Sequence, residues 1–90
     1  MFSLQAKLIN ASGLHARPAS DFVKLAKSFA SKITVRSLER ENTVNAKSIV
    51  MILSQGFCKD TTIEISAEGP DEQAAVTALA ELVSSGFGEA

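Results

Sequence analysis

The sequence predicts an α+β fold in which a mainly antiparallel sheet carries its helices on one face and leaves the other face wet. Three observations predict it. Short stretches alternate apolar and polar residues, so each strand has a single apolar side. Between and after them lie stretches with helical apolar spacing, most clearly over residues 16–28 and 75–83. Two neighbouring strands in the middle are joined by a charged turn too short to hold a helix, so they form a hairpin. The resulting order is β-α-β-β-α-β-α. At 90 residues the chain is expected to form one domain, residues 1–90.

The elements follow in order. Phe2, Leu4, Ala6 and Leu8 alternate with Ser3, Gln5 and Lys7, which is the period of a half-buried strand. Asn10-Ala11-Ser12-Gly13 breaks it. Pro18, Phe22, Leu25 or Ala26, and Phe29 then recur at helical spacing, with Lys24 and Lys27 off the stripe, so residues 16–28 read as an amphipathic helix. Its early proline is tolerated because that N–H would have no partner inside the helix. Lys32-Ile33-Thr34-Val35-Arg36 is alternating and β-branched, hence a strand. Leu38 to Asn42 is a charged turn, and Thr43-Val44-Asn45 is a short return strand. The loop from Ser37 to Asn42 is longer than the favoured two-residue hairpin turn. Ser48 is placed to cap a short helix from Ile49 to Gln55, with Gly56 as its stop. Thr61 to Ala67 is the clearest strand. Gly69-Pro70-Asp71 turns the chain into a last helix marked by Ala75, Ala78, Leu79, Leu82 and Val83 and ended by Gly86.

Composition narrows the function. The chain is 46% hydrophobic with a net charge of −1, which argues against general nucleic-acid binding. A nucleic-acid-binding α+β module would also need aromatics on the open sheet face. There is no Trp or Tyr, and the phenylalanines fit the apolar stripes. No apolar run is long enough to span a bilayer, and the N-terminus lacks the pattern of a secretory signal. A cytoplasmic location without membrane contact is therefore expected. A single cysteine, Cys58, excludes an internal disulfide and reads as a small buried hydrophobe or an inert loop thiol. With one histidine and one cysteine, no metal site is expected. Charge is unevenly spread. Residues 1–36 hold Lys7, Arg17, Lys24, Lys27, Lys32 and Arg36 against Asp21 alone, whereas residues 60–90 hold seven acids and no base. Either folding interleaves the two sets, or a basic field remains to steer an acidic or phosphorylated partner.

The one histidine, His15, lies in Gly13-Leu14-His15-Ala16-Arg17-Pro18-Ala19-Ser20, at the mouth of the first predicted helix. Histidine offers a nitrogen nucleophile near neutral pH. Small neighbours leave the ring accessible. Unpaired N–H groups and the helix dipole favour an anion there, with the amides of Ala16 and Arg17 as donors, since Pro18 has none. The Arg17 guanidinium presents a planar fork of donors suited to phosphate. The chain has no glycine-rich nucleotide loop, no second histidine and no Ser/His/Asp set. It reads as a protein that accepts a group and passes it on, without a cofactor of its own and without a complete catalytic cycle.

These residues resemble the signature of a known family. Gly13 to Ala19 is similar to the active-site segment of HPr, the histidine-containing phosphocarrier family of the phosphoenolpyruvate-dependent sugar phosphotransferase system. Asn45-Ala46-Lys47-Ser48-Ile49 is similar to that family's regulatory-serine segment, and Ile63 to Gly69 to its last strand. The likeness covers nearly the whole chain. It implies an open-faced sandwich, a four-stranded antiparallel sheet covered on one face by three helices. It implies that His15 is phosphorylated on Nδ1 by phospho-enzyme I and passes the group to sugar-specific enzyme IIA domains, so that the protein is a carrier and not an enzyme. It implies that Ser48 is a regulatory phosphorylation site for a serine kinase, read by a transcription regulator. It places Ser20, Lys24, Lys27, Ile49, Val50 and Leu53 on the partner-binding surface of a monomer. Met51 and Ile52 are expected in the core. The tail from Ser85 to Ala90 is somewhat extended and similar to the nitrogen-related, regulatory branch of the family, which is the alternative reading.

Overall fold

The computed structural model describes residues 1–40 and 42–88. Strands β1 (Phe2–Lys7), β2 (Lys32–Ser37), β3 (Thr43–Asn45) and β4 (Thr62–Glu68) alternate with helices α1 (Ala16–Lys27), α2 (Ile49–Ser54) and α3 (Glu72–Ser84), and a 3₁₀ turn, Gly86–Gly88, follows α3. The strands form one four-stranded sheet in the order β1-β4-β2-β3. Every pairing is antiparallel, with Leu4 opposite Ile65, Ile65 opposite Val35, and Val35 opposite Val44. The expected order, sheet and α+β class are all present.

Alternation decides which face is covered. Ile33, Val35, Ile63, Ile65 and Ala67 are buried and join Phe22, Ile52, Val76, Leu79 and Val83 from the helices in one cluster. The opposite face presents Ser3, Gln5, Lys7, Thr34, Arg36, Glu64 and Ser66. None of the five phenylalanines lies there: Phe22 and Phe57 are buried, and Phe2, Phe29 and Phe87 pack against the core. The open face thus lacks the aromatic platform that a nucleic-acid module of this class needs.

Four readings of burial are corrected or sharpened. Leu4, expected on the buried side of β1, is 37% exposed. It lies on the correct face, but β1 is an edge strand, and its side chain has a neighbouring strand on one side only. Met51, expected in the core, is 41% exposed. A six-residue helix turns one narrow face inward, and Ile52 occupies it. Cys58 is an exposed loop thiol and not a buried one. In α1, Ala26 and not Leu25 is the fully buried member of the pair.

The connections carry their own hydrogen bonds. Ser48 Oγ accepts from the Met51 N–H at 3.3 Å and caps α2 as expected. At the other end, Arg40 donates to the Gln55 carbonyl at 2.9 Å, and Lys47 Nζ donates to the Phe29 carbonyl at 2.7 Å just beyond α1. Both cations meet carbonyls at a helix C-terminus, where the dipole favours them. The β2–β3 loop is the longer one expected. Arg40 N–H bonds to the Ser37 carbonyl at 3.1 Å, while Glu41 lies outside the described residues. Asp71, ahead of α3, takes the Ala30 amide at 2.8 Å, the Ser31 amide at 2.9 Å and the Ser31 hydroxyl. Donation by the Ser31 hydroxyl, then by the Ala30 amide, holds the Asp71 carboxyl below its ordinary value. Glu72 is lowered in the same way, first by the Gly69 amide and then by the N-terminal amine 3.2 Å away.

Candidate functional site

His15 is set by the loop that leaves β1. Leu14, immediately before it, is fully buried, and its N–H donates to the Phe57 carbonyl at 2.8 Å. Asn10 Nδ2 donates to the Gly13 carbonyl at 2.9 Å. Gly13 turns with φ of +61°, and a Cβ there would run into the Phe57 carbonyl and stand 2.7 Å from Cys58 Cα. The glycine that reads in the sequence as a chain break is therefore also a close backbone contact with the loop after α2. Phe57, which sequence reasoning did not single out, supplies the other half of that contact. Its signal was only its place after the Gly56 stop.

Next to this anchored loop, His15 is half-buried and occupies the N-cap of α1 with extended backbone, φ −131° and ψ 161°. It makes no side-chain capping bond, so the ring is not consumed by the helix it opens. Ala16 follows with φ of +51°, the left-handed region that an L side chain seldom adopts, at a cost of roughly 1–2 kcal/mol. That strain sits one residue from the imidazole, as functional positions often show. The Ala16 and Arg17 amides lie in the first turn, where no carbonyl one turn back inside the helix can take them.

Arg17 is 89% exposed and its Nε stands 3.9 Å from Asp21 Oδ2, one turn further along α1. Both residues line a cleft of about 330 Å³ together with Pro18, Phe87 and Gly88. The C-terminal 3₁₀ turn thus closes on the start of α1, a proximity that the linear sequence did not signal.

The residues expected on a partner surface are partly gathered in one place. Arg17, Ser20, Lys24 and Lys27 are exposed and spaced three or four apart, which makes a stripe down one face of α1 with His15 at its head. Ser20, Lys24, Lys27 and Ile49 line a single groove with Val23 between α1 and α2. Val50, 73% exposed, and Leu53 extend the apolar side along α2. Met51 adds to this apolar surface, which sequence reasoning missed by assigning it to the core. Ser48 lies at the N-terminus of the same helix.

Folding resolves the uneven charge in two ways. On the sheet the basic and acidic halves interleave: Arg36 Nε meets Glu64 at 2.9 Å, Lys7 lies 3.8 Å from Asp60, and Lys32 stands opposite Glu68. On α1 they do not. Lys24 and Lys27 make no ion pair among the described residues, and both lie in the last turn, where the dipole favours cations. These two unpaired cations line the groove between α1 and α2.

Among the described residues no group of three His, Cys, Asp or Glu is placed to hold a metal ion, and no helix is long and apolar enough to cross a membrane.

Comparison with known proteins gives this arrangement a family. Residues 2–85 match the family described as the phosphotransferase-system HPr component phosphorylation site. The phosphocarrier protein HPr of Buchnera aphidicola subsp. Schizaphis graminum is 43% identical over 83 residues, 92% of this chain and 95% of that protein. A multiphosphoryl transfer protein of Vibrio cholerae serotype O1 is 39% identical over 84 residues, which span 92% of this chain and 21% of that longer one. The crystal structure of HPr-C-His from Thermoanaerobacter tengcongensis superposes with a TM-score of 0.93 at 43% identity, covering 100% of this chain and 99% of that one. The chain belongs to the HPr family and is a phosphoryl carrier of the phosphotransferase system, not a catalyst.

Proposed function

We propose that His15 is the residue that carries the phosphoryl group, and that the whole chain, residues 1–90, works as one monomeric domain in the cytoplasm. Phospho-enzyme I is the donor and sugar-specific enzyme IIA domains are the acceptors. A ring nitrogen of His15 attacks phosphorus, the donor's bond to phosphorus breaks, and an N–P bond forms. Transfer to the acceptor repeats the step with His15 as the leaving group. The observation that carries this reading is the N-cap imidazole itself: half-exposed, uncommitted to capping, and at the head of the exposed α1 stripe. The developing charge falls at a helix N-terminus, where the amides of Ala16 and Arg17 and the Arg17 guanidinium can meet it. Ser20, Lys24, Lys27, Ile49, Val50 and Leu53 then form the docking face, cationic on α1 and apolar on α2, for partners with an acidic rim around an apolar patch. Ser48 is a regulatory site for a serine kinase, with a transcription regulator as reader. A phosphate on its hydroxyl would change both the α2 cap and the charge of the docking face.

The test is incubation with phosphoenolpyruvate and enzyme I, alongside a His15→Ala variant. One acid-labile phosphoryl group is expected on the parent and none on the variant. Label that survives the substitution rules out His15 as the carrier. Offering the labelled protein both a sugar-type and a nitrogen-type enzyme IIA identifies the acceptor, with rapid transfer to the sugar type expected.

A further inference from the structure

Arg17 precedes Asp21 by one helical turn, and the two side chains share one cleft beside the start of α1. Asp21 draws the guanidinium along the helix, in the chain direction away from His15. Three features make the pair releasable. Its closest approach is 3.9 Å, too long for a bidentate fork. Both groups are solvated, Arg17 at 89% and Asp21 at 45% exposure, which screens the attraction. The base precedes the acid at i,i+4, the weaker order with respect to the helix dipole. A phosphoryl group on a side chain, by contrast, brings a charge near −2 and three acceptor oxygens.

We propose that Asp21 is a positioning residue for Arg17, holding the guanidinium in the unphosphorylated protein and yielding it when the phosphoryl group arrives. This rests on the reading of His15 as carrier and Arg17 as its phosphate partner. Asp21 makes no contact with the phosphoryl group in this scheme; it acts through Arg17. Breaking the pair opposes phosphorylation, so Asp21 lowers the equilibrium occupancy of His15 and keeps the group easy to pass on. Exposed pairs of this kind shift an equilibrium by about two- to five-fold.

The test is the equilibrium constant for phosphorylation of the full chain, read by ³¹P NMR over a range of phosphoenolpyruvate-to-pyruvate ratios with catalytic enzyme I. Asp21→Asn is expected to raise that constant about two- to five-fold, and Asp21→Glu, which keeps the charge, to stay nearer the parent. In an Arg17→Ala background the Asp21→Asn change is expected to have no effect. An unchanged constant in the Arg17-containing protein overturns the proposal, and so does a rise of equal size without Arg17, because the carboxylate would then act by direct repulsion. Failure of the underlying reading looks different: the ³¹P signal of the parent would be absent, or would persist in His15→Ala.

Discussion

Gly13 and Gly56 turn through nearly the same angle, φ of +61° and +63°, yet a side chain would cost very different amounts at the two. At Gly56 an added Cβ meets nothing within 4 Å, so Gly56→Ala carries the conformational cost alone, about 1 kcal/mol. At Gly13 the same methyl collides with the backbone at Phe57 and Cys58, which cannot rotate aside. Gly13→Ala is expected to lose at least about 2 kcal/mol in urea unfolding and to slow phosphorylation by displacing Leu14 and His15. Equal losses in the two variants would refute the packing account. The need for glycine at position 13 was legible as a break before a helix. Its cause was not, because the obstacle is chain 44 residues away in the sequence, brought close only by folding.

Helix α2 shows how far periodicity reaches at the scale of an element. Its start and stop were legible, since Ser48 and Gly56 bracket it by capping chemistry that depends on local backbone alone. Its inward face was legible only in part: Ile52 was rightly expected in the core, Met51 wrongly. Ile49, Val50, Met51, Ile52 and Leu53 are apolar without interruption, so no face stands out, and only the packing shows that Ile52 alone is buried. The consequence is a steep contrast between neighbours. Ile52→Ala should cost about 2–5 kcal/mol, whereas Met51→Ala should cost roughly 0.5 kcal/mol or less. Ser48→Ala should cost about 1 kcal/mol through loss of the cap. Thermal or urea unfolding of the three variants checks the ranking, and a Met51 variant as unstable as the Ile52 one would return Met51 to the core. The edge position of β1 escaped sequence reading for a related reason: alternation shows which side of a strand is apolar but not how many neighbours the strand has, and Leu4 is exposed on that account.

Across the whole molecule, two segments distant in sequence are fastened by Asp71, which gathers the Ala30 and Ser31 amides and the Ser31 hydroxyl at the junction of α1, β2 and α3. These donors favour the charged carboxylate, so its affinity for a proton is lower in the folded chain than in the unfolded one. The stability gained is present above the ordinary aspartate range and is lost as pH falls through the depressed value. Asp71→Asn should therefore be less stable than the parent at neutral pH, with the gap narrowing in acid. Urea midpoints measured from pH 7 downward test this, and a gap that widens in acid would contradict it. The α+β class and element order were legible because they rest on local periods. The strand order and the distribution of ion pairs depend on which segments meet, and the two charge blocks in the sequence admitted either arrangement. Only the folded chain shows that Arg36 and Lys32 are matched with acids while Lys24 and Lys27 make no ion pair among the described residues.

The bond from the Leu14 amide to the Phe57 carbonyl has a kinetic meaning as well. With Leu14 buried and Gly13 seated on the same backbone, the segment before His15 cannot open without parting from the loop after α2. Its amide proton should then exchange with solvent nearly as slowly as those in the centre of β4, far more slowly than an ordinary loop amide. In the proposed carrier role of His15, a support that opens only with the core would present the same backbone to each partner, with none of the encounter spent on ordering it.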